Sequence, residues 1–281
     1  MPGKAAGPHS RSAAVGNGKP LSEPSLLLAV LVSASVACIA WFAATLTLSG
    51  ALAAWVVGAG ILHGTGWTGG AVLAAFFISS NLISRVAPAP LTATIDVKGD
   101  RRDAWQVLAN GAAAGLLALF GSSDPALRIW LVTATLSAAA ADTWASSVGA
   151  RSRAVPRLLW SRDPVPSGTN GGITAAGNAG ALAGATIVSA TAALLTGNAR
   201  LLPAGILIGF FGMLMDSLLG DAIQATFWCP RCRQPSEWRV HRCGTSTDWK
   251  SGWVWLNNDR VNLLATAMSG GLAWTLWRWL D

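Results

Sequence analysis

Long apolar segments, separated by short polar stretches, are the feature that most restricts the fold of this chain. Hydrophobic residues make up 52% of its 281 residues, and charged residues make up only 12%. About 20 apolar residues are enough for a helix to cross the hydrocarbon core of a bilayer. Because a backbone in lipid must satisfy its own hydrogen bonds, the sequence predicts an all-α, polytopic bundle of membrane-spanning helices.

About seven spans can be drawn along the chain. They cover residues 25–48, 67–86, 104–121, 127–149, 173–196, 201–226 and 261–280. The run 50–64 is shorter and contains several glycines, which favours a half-helix or a re-entrant segment. Residues 1–24 are polar and rich in Gly, Pro and Ser, so they are expected to form a disordered tail before a transmembrane domain of residues 25–281.

The basic residues lie between the apolar segments, so membrane topology explains the net charge of +7 better than nucleic-acid binding does. If 50–64 does not cross, the tail and the loops 85–103, 150–172 and 227–260 share one face and carry 17 of the 20 Lys and Arg. The positive-inside rule then places that face and the N-terminus in the cytoplasm. If 50–64 does cross, the tail is separated from these loops, and this alternative ranks second. The Ala-, Gly- and Arg-rich composition favours a bacterial plasma membrane, while the oligomeric state stays open.

Two acidic positions lie near the same end of their apolar segments. Asp142 is followed four residues later by Ser146, and Asp216 begins a stripe with Asp221 beside it. A carboxylate inside a membrane segment is costly and is by default a candidate functional group. Carboxylates that converge without water need a cation, and Mg²⁺ is bound by carboxylate and phosphate oxygens. We therefore predict Asp142, Asp216 and Asp221 as Mg²⁺ ligands; the alternative for Asp142 is a satisfied interhelical hydrogen bond.

A glycine-rich stretch stands directly before the fifth span. Backbone amides exposed by glycines, together with the N-terminus of a helix, attract phosphate. The predicted cradle consists of Gly168, Thr169, Gly171 and Gly172. An ordinary turn and cap is the alternative, because no Lys follows the glycines as it does in a Walker A loop. The neighbouring arginines either clamp phosphate or retain the loop in the cytoplasm.

Polar residues also enter two of the spans from their ends. Asp103 is expected to cap a helix, and Gln106 and Asn110 extend a polar stripe from it into the membrane. Residues 257–262, which include Asn258 and Asp259, repeat this arrangement at the start of the last span.

The loop 227–259 contains three cysteines and a histidine in the pattern C-x2-C-x8-H-x-C. The four residues are Cys229, Cys232, His241 and Cys243. Thiolates and an imidazole suit tetrahedral Zn²⁺. A redox CxxC pair, or cysteines with no special role, are the alternatives.

Six motifs, in this order along the chain, resemble one integral-membrane family. They lie at residues 96–111, 141–146, 166–172, 216–220, 229–232 and 257–262. The family is the domain of unknown function 92 family, which includes the plant phytyl-phosphate kinase and mammalian transmembrane protein 19. The resemblance implies an enzyme that transfers phosphate from a nucleoside triphosphate to an isoprenoid monophosphate, whereas most bacterial members have no assigned reaction.

The resulting hypothesis is a membrane phosphotransferase with Mg²⁺ and a nucleoside triphosphate at the cytoplasmic rim, acting on an isoprenoid or lipid phosphate. Asp142 and Asp216 hold Mg²⁺, and positive charge comes from Lys98, Arg101 and Arg102. The glycine cradle, with Asn258 and Asp259, binds the cofactor, and the lipid tail enters between helices. A transporter or lipid flippase with a polar intramembrane site is the alternative. A scaffold that docks partners through the cysteine loop ranks last, because it leaves the intramembrane acids unexplained.

Overall fold

The computed structural model describes residues 23–86, 101–241 and 243–280, and most of them are helical. The helices are α1 (Leu26–Phe42), α2 (Leu48–Val86), α3 (Ala104–Phe120), α4 (Pro125–Gly149), α5 (Ala175–Thr196), α6 (Leu201–Ala222) and α7 (Asn258–Leu280). Within these ranges, α2, α5 and α6 are each long and apolar enough to cross a membrane. The predicted all-α membrane bundle is confirmed.

Helix α2 is broken at Gly66, where φ is 65° and ψ is −163°. This left-handed conformation strains any residue with a side chain, so glycine is required at the break. A Cβ atom at Gly70 would lie 2.8 Å from Leu62, and one at Gly58 would lie 3.8 Å from Leu73. The two arms, residues 48–65 and 67–86, therefore pack antiparallel as a helical hairpin. The run 50–64 belongs to a complete helical arm.

Both ends of α2 consequently lie on one side of the bundle. The Arg85 side chain donates to Ala43 O at 3.2 Å, and Arg151 donates to Val86 O at 2.6 Å. The same side contains residues 101–103 before α3, the residues between α4 and α5, and the described residues between α6 and α7. We call this side the basic face, because it carries most of the arginines of the described loops.

The start of α1 lies on the opposite face. A Cβ atom at Gly66 would lie 3.9 Å from the Glu23 side chain, and the Glu23 carboxylate lies 3.9 Å from Arg128. Residues 23–25, directly before α1, are thus separated from the described residues of the three basic loops, which is the arrangement that ranked second from the sequence. Residues 1–22, which hold nearly all of the expected tail, lie outside the described residues.

Helix α4 forms the centre of the bundle, and its residues 131–141 are all buried. Small residues bring its neighbours close: a Cβ atom at Gly184 of α5 would lie 2.7 Å from Ala140 O, and one at Gly209 of α6 would lie 3.0 Å from Ser137 O. Apolar burial does not drive helices together in lipid, so close packing of small residues does this instead. The Trp130 indole donates to Ala273 O of α7 at 2.8 Å and ties α7 to the same core.

The long loops of the basic face carry two small sheets. In the α4–α5 loop, β1 (Arg157–Leu158) pairs antiparallel with β2 (Gly172–Ile173). In the α6–α7 loop, β3 (Thr226–Cys229) lies between β4 (Gln234–Ser236) and β5 (Asp248–Ser251), again with antiparallel pairing. We refer to residues 224–256, which contain this second sheet, as the ribbon.

Candidate functional site

Four helices meet at a small cavity near the basic face, which we call the acidic cavity. Its polar lining consists of Asn110 from α3, Asp142 from α4, Asp216 from α6, and Asn262 and Thr266 from α7. The volume is about 10 Å³, close to the size needed for a single water-sized particle. The two acids predicted as a cation site therefore do converge, although 74 positions separate them in the sequence.

Glycine and alanine on the facing helices make this convergence possible. A Cβ atom at Gly212, one turn before Asp216, would collide with Ala138 of α4 and Ser269 of α7. Asp142 stands one turn after Ala138, so the same close approach of α4 and α6 sets the two carboxylates beside each other.

Two oxygen atoms at the acidic cavity are buried and have no hydrogen-bond partner among the described residues: Asp216 Oδ2 and Asn262 Oδ1. A buried polar atom without a partner is costly. Both atoms are acceptors of the hard type that Mg²⁺ binds, and Asp142 adds a second carboxylate. The Asp216 carboxylate is buried, and it lies within electrostatic reach of Asp142 and of Glu237 in the ribbon. These residues fit a divalent cation in donor type and in charge.

A larger cavity of about 410 Å³ adjoins α1, both arms of α2, and α3. Its walls are mainly aliphatic and aromatic, and its polar lining includes Arg102, Gln106 and Asn110, which follow one another at intervals of four residues. Such a volume is typical of small-molecule sites. Asn110 lines this apolar cavity as well as the acidic one. One side chain, that of Asn110, is therefore shared by the apolar cavity and the candidate cation site.

The glycine-rich loop docks on the end of α6, one turn beyond Asp216. A Cβ atom at Gly171 would lie 2.8 Å from Ser217 O and 2.7 Å from Asp221 N, so only glycine permits this approach. Two amides of the predicted cradle are used inside the loop, since Thr169 N donates to Pro166 O at 3.2 Å and Gly172 N donates to Thr169 O at 3.0 Å. Gly168, with φ of 88°, faces open space.

Asp221, predicted as a third Mg²⁺ ligand, lies outside the lining of the acidic cavity. Its Oδ2 atom accepts hydrogen bonds from Trp160 N at 2.9 Å and Ser161 N at 3.4 Å. This carboxylate thus secures the α4–α5 loop to α6. Asn258 and Asp259 begin α7, with Asp259 buried, and neither lines the cavity.

The three predicted cations have different positions. Arg101 donates to Leu46 O at 2.8 Å and to Trp41 O at 3.3 Å, so it ties the start of α3 to the α1–α2 turn. Arg102 lines the 410 Å³ cavity, and burial lowers the pKa of its guanidinium. Lys98 lies outside the described residues.

The predicted cap of α3 is confirmed. The Asp103 side chain accepts a hydrogen bond from the backbone N–H of Gln106, and the Gln106 side chain accepts one from the backbone N–H of Asp103.

The four candidate zinc ligands of the ribbon lie together. Their ligand atoms are all within 4.8 Å of one another, and all three cysteines are free thiols. Hydrogen bonds from Thr245 and His241 lower the pKa of Cys243 to about 6. The hydrogen bond with Cys243 raises the pKa of Cys232 to about 11.

Comparison with known proteins places this arrangement in a family. Residues 31–270 match the sequence pattern of a family described as "integral membrane protein DUF92". The chain belongs to the DUF92 integral membrane family.

Relatives of this DUF92 protein occur in a plant, an archaeon and a cyanobacterium. Protein PGR of Arabidopsis thaliana is 31% identical, over 88% of this chain and 94% of the relative. Uncharacterized membrane proteins of Methanocaldococcus jannaschii and Synechocystis are 28% and 26% identical, over 87% and 78% of this chain and 91% and 78% of those relatives. No solved structure matches significantly.

Three residues near the site were not among the predicted ligands of this DUF92 protein. Asn110 and Asn262 belong to polar stripes recognisable in the sequence, but their meeting with the acids depends on how α3 and α7 pack against α4 and α6. Glu237 lies in a loop, and nothing in its sequence neighbourhood distinguishes it. Only the fold of the ribbon brings its charge to Asp216.

Proposed function

We propose that this DUF92 protein is an integral membrane phosphotransferase that uses Mg²⁺ and a nucleoside triphosphate to phosphorylate an isoprenoid or lipid monophosphate. The observation that carries the proposal is the acidic cavity, where Asp142 and Asp216 converge and the Asp216 Oδ2 and Asn262 Oδ1 atoms lack partners. The adjoining apolar cavity of about 410 Å³ gives the lipid tail a place, and Asn110 links the two.

The residues of the site divide the work of phosphoryl transfer. Asp142, Asp216 and the side-chain oxygen of Asn262 would hold Mg²⁺, which, when bound, offsets the charge of the transferring phosphate. Arg102 supplies positive charge in the wall of the apolar cavity. An oxygen of the lipid phosphate bonds to the terminal phosphorus of the nucleotide while the bond to the leaving nucleoside diphosphate breaks. Positioning and electrostatics dominate this chemistry, so a strong base is unnecessary.

The position of the acids supports an enzyme over a transporter. Asp142 lies about two turns before the end of α4, and Asp216 lies about two turns before the end of α6, so both stand at the basic rim of the bundle. Transporter sites are built from broken helices near the bilayer midplane. The break at Gly66 occurs in α2, which does not line the acidic cavity, and it lies toward the opposite face.

The charge distribution supports a membrane orientation. We infer that the basic face is cytoplasmic, in a bacterial plasma membrane, because the loops on that face carry most of the Lys and Arg. The start of α1 and the end of α7 then lie outside. Fusions of a periplasmic reporter enzyme to residue 280 and to the 197–200 turn should be active, whereas a fusion within 150–156 should be inactive. The reverse pattern would overturn the orientation.

The reaction can be tested with purified protein in lipid nanodiscs. Mg²⁺-dependent transfer of labelled terminal phosphate from a nucleoside triphosphate is measured with prenyl monophosphates of increasing chain length. Transfer in wild type and in Asp163→Asn, which changes an exposed carboxylate on the basic face, supports the proposal. Absence of transfer to every prenyl and lipid monophosphate, in protein whose fold is verified by thermal unfolding, overturns it.

A matched pair of variants can test whether the apolar cavity binds the lipid tail. Ala74→Phe places a ring in the lining of the apolar cavity, whereas Leu116→Phe changes an exposed residue of α3 outside that lining. Ala74→Phe should raise KM for long prenyl monophosphates about tenfold, by excluding roughly two methylenes at about 0.8 kcal/mol each, and should affect short ones less. Equal effects of the two variants at every chain length would exclude this cavity as the tail site.

A further inference from the structure

The cysteine cluster of the ribbon forms a second site that the proposed reaction does not use. Cys229 and Cys243 have their Sγ atoms 3.7 Å apart, and Cys232 and His241 complete a group whose ligand atoms are mutually within 4.8 Å. Two sulfurs at about 2.3 Å from a tetrahedral zinc are about 3.8 Å apart. A disulfide requires about 2.05 Å between sulfurs. The spacing therefore matches a metal tetrahedron.

The backbone presents the ligands from two tight turns. After β3, Cys232 N donates to Cys229 Sγ at 3.5 Å, and Arg233 N donates to Cys229 O at 2.8 Å. After His241, Gly244 N donates to His241 O at 2.8 Å, with Gly244 in a left-handed conformation at φ of 79°. Each turn contributes two ligands. This pairing brings four donors to one point from residues that are close in sequence.

The ribbon has little apolar interior of its own. Its buried apolar side chains within the described residues are Ala225, Phe227, Cys229 and Leu256. A segment of this size cannot reach a stable fold by apolar burial alone and needs a cross-link, a metal or a larger partner. Four protein ligands leave no open coordination position, which is the arrangement of a structural site. A bound metal would thus supply the stability that the ribbon lacks.

The ribbon is fastened at both ends to the helices of the acidic cavity. Ala225 N donates to Leu256 O at 2.9 Å, and Trp253 N donates to Ile223 O at 2.9 Å, so the end of α6 is joined to the start of α7. Asp216 lies on α6 and Asn262 lies on α7. The order of the ribbon therefore affects the relative position of two residues of the acidic cavity.

We propose that Cys229, Cys232, His241 and Cys243 bind one structural Zn²⁺, which folds the ribbon and holds the ends of α6 and α7 together beside the acidic cavity. In this role the metal takes no part in phosphate transfer. Its binding is independent of whether the acidic cavity is catalytic.

Metal content tests the proposal without an activity assay. Protein purified without added metal and without chelator is analysed by mass spectrometry of its metals. One zinc per chain is expected in wild type, in Cys38→Ser, which changes the cysteine of α1, and in Asp142→Asn. Zinc should be lost in Cys229→Ser and Cys243→Ser. No zinc in wild type, iron in its place, or full zinc in both ribbon variants overturns the proposal.

Thiol reactivity gives a second test that requires no ribbon variant. Wild-type protein is alkylated under native conditions before and after treatment with a zinc chelator, and each cysteine is quantified by peptide mass spectrometry. Cys229, Cys232 and Cys243 should be protected at first and become reactive, in parallel with zinc release. Unchanged reactivity on chelation, or recovery of Cys229 and Cys232 as a disulfide from untreated protein, contradicts a zinc site.

Discussion

The acidic cavity and the cysteine cluster are both candidate metal sites, but they are built in opposite ways. The cavity takes oxygen donors from α3, α4, α6 and α7, and its residues span positions 110 to 266. The cluster takes three sulfurs and one imidazole from residues 229 to 243. Oxygen donors suit Mg²⁺, which keeps positions open for phosphate, whereas four soft donors enclose Zn²⁺.

This difference determines how strongly each site depends on the packing of the rest of the bundle. The cluster is assembled by two local turns, so it depends little on the rest of the bundle. The cavity exists only where four helices pack correctly, and a small shift of α6 against α4 separates Asp216 from Asp142. A site that binds a substrate and releases a product needs exchangeable ligands, while a site that supports a fold needs permanent ones.

The largest expected effect on transfer comes from removing a carboxylate of the acidic cavity. Asp142→Asn and Asp216→Asn should each lower transfer by at least about a hundredfold, because each removes a charge that holds the cation. Both should also abolish the rise in unfolding temperature that Mg²⁺ produces in wild type. Asp163→Asn serves as the control. Full activity in either cavity variant would contradict the site.

Removing a zinc ligand should have a smaller effect on the reaction. Cys243→Ser is expected to lower transfer about tenfold, or about 1.4 kcal/mol, since α6 and α7 lose a tether but keep their packing in the bundle. Mg²⁺-dependent stabilisation, measured by thermal unfolding, should persist. Loss of that stabilisation in Cys243→Ser, with Cys38→Ser unaffected, would show that the two sites are a single unit.

The close approach of α4 and α6 can be tested at a glycine. Gly212→Leu should destabilise the protein by about 1–3 kcal/mol, because its side chain would collide with Ala138 and Ser269. It should also weaken the Mg²⁺ response, whereas zinc content stays constant. Gly271→Leu is the matched control on α7, where a Cβ atom would meet nothing within 4 Å. An unchanged Mg²⁺ response in Gly212→Leu would argue against cation binding at this contact.

The smallest expected effect concerns Asp221. The Asp221 carboxylate accepts hydrogen bonds from Trp160 N and Ser161 N, and Asp221→Asn removes its charge. This change should lower the free energy of unfolding by about 1 kcal/mol. The Mg²⁺ response should remain, because Asp221 lies outside the acidic cavity. Calorimetric titration with Mg²⁺ checks this. A substantial loss of affinity would restore Asp221 as a cation ligand.

The sequence predicts the parts of this molecule whose causes are local. Apolar length identifies the helices, the spacing of the cysteines identifies their cluster, and Asp103 with Gln106 identifies a cap. The antiparallel hairpin of α2 corresponds to the second-ranked alternative, in which 50–64 crosses, because the short length and several glycines of that run favoured a half-helix. Only contacts such as Gly70 with Leu62 distinguish a hairpin from a half-helix.

The acidic cavity was predictable only in part. The cost of carboxylates in a membrane singles out Asp142 and Asp216 from the sequence alone. Asp221 has the same chemistry and lies five positions later, but its carboxylate accepts hydrogen bonds from the α4–α5 loop and does not line the acidic cavity. Asn110 and Asn262 have a weaker sequence signature, since an amide in a membrane segment often bonds its own helix, as Asn110 does to Gln106 O at 2.9 Å. Which oxygens converge depends on helix packing over long separations.

The position of Asn110 between two cavities has a kinetic consequence. Under the proposed function, substrate and product carry the same tail in the same apolar cavity, and they differ only at the polar end beside Asn110. A longer tail then slows product departure as much as it aids substrate capture. Turnover should therefore pass through a maximum at an intermediate chain length, beyond which product release, and not chemistry, sets the rate.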